Sequence, residues 1–169
     1  CLLIAAPRSA SAHQSSFTYA RLELSEQGQR ADYQLLIDKG DLFEALALPS
    51  DRPASDEEIL RGAQTLSSYV WARLSLTATG PGCQFEAGPV DVVDEGRRFA
   101  RLRAHLRCDG AIEELHIDYR LFFDLDELHQ GLMTTPGGLV AFTKDSEGPY
   151  RYRPGTGSGM NGWGFVRSG

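Results

Sequence analysis

The run Arg98-Phe99-Ala100-Arg101-Leu102-Arg103-Ala104-His105-Leu106-Arg107-Cys108-Asp109-Gly110-Ala111-Ile112-Glu113-Glu114-Leu115-His116-Ile117-Asp118-Tyr119 alternates apolar and charged residues on both sides of Asp109-Gly110. Alternation is the signature of half-buried strands, because successive side chains of an extended chain point to opposite faces. Asp-Gly can supply the two positive φ angles of a type I′ turn, so the run predicts an antiparallel hairpin. In that register Ala104 stands opposite Leu115, Leu102 opposite Ile117 and Ala100 opposite Tyr119, and every apolar residue meets an apolar one. The other face carries Arg101, Arg103, His105, Arg107, Glu114, His116, Asp118 and Arg120. There Arg101 would face Asp118 and His105 would face Glu114, cross-strand charge pairs that call for no active site.

Upstream, Ala72, Leu74, Leu76 and Ala78 alternate with Arg73, Ser75 and Thr77, a further strand that should end at Gly80-Pro81-Gly82. Before it, Ser55-Asp56-Glu57-Glu58 is a capping box, and Ile59, Ala63, Leu66 and Val70 form one helical stripe. A helix is expected over about 56–70. Residues 41–46 fit one helical turn or two before Pro49. Two short β-type runs, 17–24 and 32–37, flank Glu26-Gln27-Gly28-Gln29 and suggest an opening hairpin. Downstream lie the turn Asp124-Leu125-Asp126-Glu127-Leu128-His129 and a β-type stretch from Gly138 to Thr143. Together these patterns predict a mainly β, antiparallel, immunoglobulin-like sandwich with one helix, occupying residues 13–152. Residues 153–169, rich in Gly and Ser, read as a linker.

The first twelve residues read as the tail of a secretory signal peptide. An apolar run from Cys1 to Ala6 leads to Ala10-Ser11-Ala12, a small-x-small cleavage site that would leave His13 as the mature start. The plainer alternative is an N-terminal strand. With Cys1 removed, Cys83 and Cys108 remain, an even pair best explained in an exported domain as a disulfide closing a loop of about 25 residues. A two-thiolate metal site is the alternative, but it lacks a C-x-x-C or a Cys/His cluster. The formal charge of −6, from 23 acidic and 17 basic residues, removes the footprint expected of a nucleic-acid partner. No apolar run reaches the ~20 residues of a membrane span, so any span would follow Gly169.

Several of these features together resemble the HupE/UreJ family of membrane proteins. They are the signal tail, the start His13-Gln14, the paired cysteines, the Asp-rich turn ending in His129 and the closing Gly164-Phe165-Val166-Arg167-Ser168-Gly169. The likeness is to the branch with a periplasmic N-terminal domain. The resemblance implies a periplasmic β-rich domain anchored to the inner membrane through a C-terminal transmembrane domain of the same chain. It also implies a role in the uptake of nickel or a related transition metal for hydrogenase and urease. Many members carry Pro after the N-terminal His, whereas Gln14 stands here.

Two metal candidates follow from residue type. A free amine and an imidazole on His13 would form a chelating pair suited to Ni, Cu or Zn; the plainer account is that cleavage happens to leave a His. Asp124, Asp126 and His129 offer two carboxylates and an imidazole within six residues. The plainer account is a turn whose Asp side chains bond local backbone N–H groups while His129 stays partly exposed. Motifs for catalysis are missing: there is no Gly-x-Ser-x-Gly elbow and no His-Glu-x-x-His. The expectation is therefore a non-enzymatic domain that assists metal binding, or alternatively an assembly domain that binds no metal and recognises another envelope protein.

Overall fold

The computed structural model describes residues 16–49 and 52–155. The signal-like residues, His13 and the closing segment 164–169 lie outside the described residues. The described chain opens with the expected hairpin. Strands β1 (Phe17–Leu24) and β2 (Arg30–Asp38) pair antiparallel, with Leu24 opposite Ala31 and Thr18 opposite Ile37. A 3-10 turn (Lys39–Asp41) follows, capped by Asp38 Oδ1, which accepts from the Gly40 N–H at 2.8 Å. Next comes a one-turn helix α1 (Leu42–Ala45).

The capping box forms as its spacing requires. Ser55 Oγ accepts from the Glu58 N–H at 3.2 Å and Glu58 Oε2 accepts from the Ser55 N–H at 2.8 Å. The expected helix is present as two, α2 (Asp56–Arg61) and α3 (Ala63–Trp71), with the break at Gly62. A Cβ on Gly62 would sit 2.9 Å from the Leu46 side chain, so the missing side chain lets Leu46 pack into the break. Ile59, Leu66 and Val70 are fully buried, the stripe that the spacing predicted.

The remaining strands are β3 (Leu74–Thr79), β4 (Gln84–Ala87), β5 (Asp91–Asp94), β6 (Arg98–Arg107), β7 (Glu114–Tyr119), β8 (Gln130–Thr135), β9 (Gly138–Phe142) and β10 (Tyr150–Tyr152). They form two sheets, a mainly β sandwich with few helices. The larger sheet runs β4-β6-β2-β1-β8-β9, with β5 also paired to β6; the smaller runs β10-β7-β3. All strand pairs are antiparallel except β1 with β8, which is parallel. Between the sheets Leu22, Leu35, Ile37, Ala100, Leu102 and Leu106 pack with Leu74, Leu76, Leu115, Ile117 and the helical apolar residues in one core. Each Leu or Ile side chain contributes roughly 1.5–3 kcal/mol by leaving water. Among the described residues no helix is long and apolar enough to cross a membrane.

The structure corrects one expectation at the centre of the sequence. Strands β6 and β7 do not pair across Asp109-Gly110. Strand β6 pairs with β2, β4 and β5, whereas β7 pairs with β3 and β10 in the opposite sheet. The burial pattern nevertheless holds, because Ala100, Leu102, Ala104, Leu115, Ile117 and Tyr119 are all buried in the one core between the sheets. The expected charge pairs are replaced accordingly. Arg101 binds Asp91 at 2.5 Å, His105 meets Asp32, and Glu114 pairs with Arg153 at 3.4 Å and His116 at 3.5 Å.

Cys83 and Cys108 form the expected disulfide, their Cα atoms 4.0 Å apart at the ends of the paired strands β4 and β6. The chain crosses between the sheets on both sides of this bond. Close approach there explains Gly82, whose φ is +59° and where a Cβ would lie 2.0 Å from Asp109 Oδ2.

Replacing both cysteines by Ala is expected to lower unfolding stability by about 3 kcal/mol in urea titrations, with the fold retained. Tyr33→Phe should behave oppositely. The Tyr33 hydroxyl is buried without a hydrogen-bond partner among the described residues, so removing it is expected to leave stability unchanged or to raise it by up to about 1 kcal/mol.

Candidate functional site

Between β7 and β8 the chain makes a compact turn over residues 121–129, and its shape is set by Phe122. This residue has φ +64°, a left-handed backbone that costs a side chain of this size about 1–2 kcal/mol. Burial holds it there. Phe122 is 2% exposed, and its ring lies 5.4 Å from Tyr69 and 5.1 Å from His129. Its carbonyl accepts from the N–H groups of Leu125 and Asp126 at 2.9 and 2.8 Å.

The turn sends its three predicted ligands to different partners. Asp124 leaves the group, accepting from Arg73 Nη2 at 2.6 Å and from the Tyr69 hydroxyl at 2.9 Å. Partial burial would raise its pKa, but these bonds hold the carboxyl below the usual range. Asp126 and His129 converge on Ser16, the residue just before β1. Ser16 Oγ lies 2.9 Å from Asp126 Oδ2 and 2.7 Å from His129 Nδ1. Asp126 Oδ1 also accepts from the Leu128 N–H at 2.9 Å, the local turn bond that the plainer sequence account foresaw.

His129 is 0% exposed rather than partly exposed, because it enters β8 between the two sheets. Its Nε2 lies 3.1 Å from the Tyr119 hydroxyl and 3.4 Å from Thr18 Oγ1, and Thr18 and Tyr119 bond to each other. Gly131 makes room for this cluster, since a Cβ there would stand 2.5 Å from the Tyr119 ring.

Donor counting fixes the directions. Ionised Asp126 only accepts, so Ser16 donates to it and His129 Nδ1–H donates to Ser16. Nε2 is then the acceptor, and the shorter contact, 3.1 Å from Tyr119 against 3.4 Å from Thr18, makes Tyr119 its donor, with Thr18 donating to Tyr119. Burial pushes His129 down to about 4, against the opposing pull of Asp126, and the ring is neutral at pH 7. Burial also pushes the Tyr119 phenol up.

The order Asp126, Ser16, His129, Tyr119, Thr18 differs from a nucleophile–base–carboxylate triad, in which the histidine accepts the serine proton and the carboxylate holds the far ring nitrogen. Here the imidazole donates to the serine. Among the described residues no three His, Cys, Asp or Glu side chains gather as a set that could hold a metal ion. His13 lies outside the described residues, three positions before Ser16.

Sequence reading missed Ser16, Thr18 and Tyr119 because they meet His129 only through the fold; their polar atoms carry no local spacing signal. It also missed Asp41. That residue shares with Ser16, Phe122, Asp126 and Leu128 a cavity of about 410 Å³, and burial, aided by the charges of Asp38 and Asp126, raises its carboxyl to about 6.

These two groups should oppose each other in acid. His129, with its pKa lowered from 6.5 to about 4, contributes stability that is whole above pH 6.5 and is lost as pH falls toward 4, of order 3 kcal/mol. Asp41, raised from 3.8 to about 6, contributes stability present below pH 3.8 and lost as pH rises through 6. In urea titrations at about pH 7 and about pH 4.5, Asp41→Asn should therefore lose more stability on acidification than the wild type, and His129→Gln less. Compared with known proteins, the chain matches no family model and no curated sequence.

Proposed function

We propose that this chain is the extracytoplasmic, periplasmic N-terminal domain of a membrane protein resembling the HupE/UreJ family. In this reading it is anchored to the inner membrane by sequence beyond Gly169 and assists the binding or uptake of a nickel-type transition metal. The single observation that carries the metal reading is the double hydrogen bond of Ser16 to Asp126 and His129. It holds the chain three residues after His13 against the turn that supplies the other candidate ligands, and three residues reach about 10 Å at most. His13 would provide an amine and an imidazole, with Asp126 and His129 available once Ser16 yields its bonds. Asp124 would act by fixing the turn through Arg73. The disulfide supports the oxidising compartment that the reading requires.

One observation favours the second reading, an assembly domain that binds no metal and recognises another envelope protein. His129 is fully buried and both ring nitrogens are bonded inside the domain, so a metal must displace a partner to reach it.

Calorimetric titration with Ni(II), Cu(II) and Zn(II) separates the two. Protein beginning at His13 is expected to bind one ion, and an added N-terminal residue should weaken binding at least about tenfold by removing the amine from the chelate. Negligible uptake by both forms would reject the metal reading and leave the assembly domain.

A further inference from the structure

Each sheet ends in edge strands, and an edge offers backbone groups with which another chain can pair. Three of the edges carry polar or charged side chains toward solvent: Ser75 and Thr77 on β3, Glu86 on β4 and Arg151 on β10. Strand β9 differs. It closes the far side of the larger sheet, pairs only with β8, and reads Gly138-Leu139-Val140-Ala141-Phe142, without a charge or a proline.

The hairpin between β8 and β9 determines which backbone groups of β9 are used. Thr135 and Gly138 pair across the two-residue turn Pro136-Gly137, so they form a hydrogen-bonded pair, and such pairs recur at every second position. Gly138, Val140 and Phe142 therefore turn their N–H and C=O groups toward β8, and Leu139 and Ala141 turn theirs away. Among the described residues nothing bonds to that outer side of Leu139 or Ala141. The open stretch is closed at both ends, since Thr143 N–H donates to Ser146 Oγ at 2.9 Å and Gly137 N–H to Thr135 Oγ1 at 3.1 Å. Val140 and Phe142 face the core. Leu139, 64% exposed, and Ala141 face outward, where Ala141 continues a row through Leu132 and Tyr19 to Leu36.

We propose that β9 is the docking edge for a second copy of this chain, which adds its own β9 antiparallel about a two-fold axis at Val140. The occupant follows from self-complementarity. In this register Leu139 of each copy stands opposite Ala141 of the other, so the open N–H and C=O groups all bond to one another. Moving the axis to Leu139 or to Ala141 would set open groups against Gly137 or Thr143, whose N–H groups are already taken. The side chains match in size, with Gly138 opposite Phe142, Leu139 opposite Ala141 and Val140 opposite its own copy. Charge agrees as well. The chain carries a formal charge of −6, yet this edge brings no like charges together, whereas β10 paired with itself about Arg151 would oppose two arginines. Strands of five residues bury less than the ~1,200 Å² of a standard interface, so the association is weak and reversible. The edge is separate from the Ser16 cluster, and the pairing needs no metal.

Sedimentation of the full chain between about 0.02 and 2 mM tests this, with amide hydrogen exchange read in parallel. The weight-average mass should rise from monomer toward dimer with a Kd of about 0.1–1 mM, in keeping with a small interface. As concentration rises, the amides of Leu139 and Ala141 should gain protection, while Val140, already bonded to β8, and the edge strand β3 should not. Leu139→Lys puts a charge on the pairing edge, and Ala141→Pro removes one open N–H; each should weaken association at least about tenfold. Leu139 is exposed and the Ala141 N–H serves no described partner, so both variants keep the fold, which unshifted core amides will report. The proposal is overturned if the chain stays monomeric to about 2 mM, if either folded variant associates as the wild type does, or if protection appears on another edge.

Discussion

The fold depends on one corner, where the chain passes twice between the sheets. The first passage runs from the end of β3 at Thr79 to the start of β4 at Gln84, and the second from the end of β6 at Arg107 to the start of β7 at Glu114. The two passages lie side by side. The Cys83–Cys108 bond joins them where each borders the larger sheet. Asp109 N–H donates to the Pro81 carbonyl at 2.9 Å, and Glu113 N–H to the Thr79 carbonyl at 2.9 Å. The opening hairpin closes the corner from a third side, its Gln29 and Gly28 carbonyls accepting from Cys108 and Ile112 at 2.9 and 2.8 Å. A crossing segment has backbone groups that no ladder satisfies, and here each crossing supplies partners for the other. The disulfide adds the entropy of a closed loop to an arrangement whose geometry the hydrogen bonds already define.

That corner also explains which parts of the fold were legible in the sequence. Two-residue alternation from Arg98 to Tyr119 reports which side chains are buried, and the residues it places inside, Ala100, Leu102, Ala104, Leu115, Ile117 and Tyr119, are all buried. It carries no information on which strand lies alongside. Apolar residues at matched positions agree equally well when two strands neighbour each other in one sheet and when they face each other across a core about 10 Å thick. Asp109-Gly110 favoured the first arrangement by local chemistry, and the disulfide corner imposes the second. Local signals that involve a few adjacent residues survived: the Ser55–Glu58 capping box, the hairpin after Leu24 and the strand from Gly138. Strand β4 was illegible because all four of its residues are exposed, and β8 because Gly131 interrupts the pattern.

The candidate site was legible only in part, and for a related reason. Asp126 and His129 stand out by residue type, but the partner they share lies more than a hundred residues away along the chain: Ser16 is separated from them by 110 and 113 positions. Asp124 has the right chemistry and the wrong neighbours, because α3 places Tyr69 and the residue after its cap, Arg73, against it. No reading of 124–129 alone could tell that one carboxylate would serve an arginine and the other a serine. The strain at Phe122 likewise becomes intelligible only with the aromatic rings of Tyr69 and His129 packed around it.

The buried polar cluster solves a problem that the parallel pairing of β1 with β8 creates. A hairpin turn fixes the register of β1 against β2, whereas β1 and β8 are separated by most of the chain and have no turn to align them. Ser16 and Thr18 are two residues apart and so share one face of the extended chain, the face that meets His129 and Tyr119. In the observed register Thr18 lies beside Gly131, the position over which the Tyr119 ring rests. With β1 held by its hairpin, a slip of β8 by one residue would turn His129 outward, leave Ser16, Thr18 and Tyr119 without their histidine partner and place a side chain under the ring. Each orphaned buried group costs about 1–3 kcal/mol, so the slipped state is penalised several times over. Because Tyr119 belongs to the smaller sheet, the same hydrogen bonds that set this register also fix how the two sheets stack, which an apolar core alone would specify less sharply.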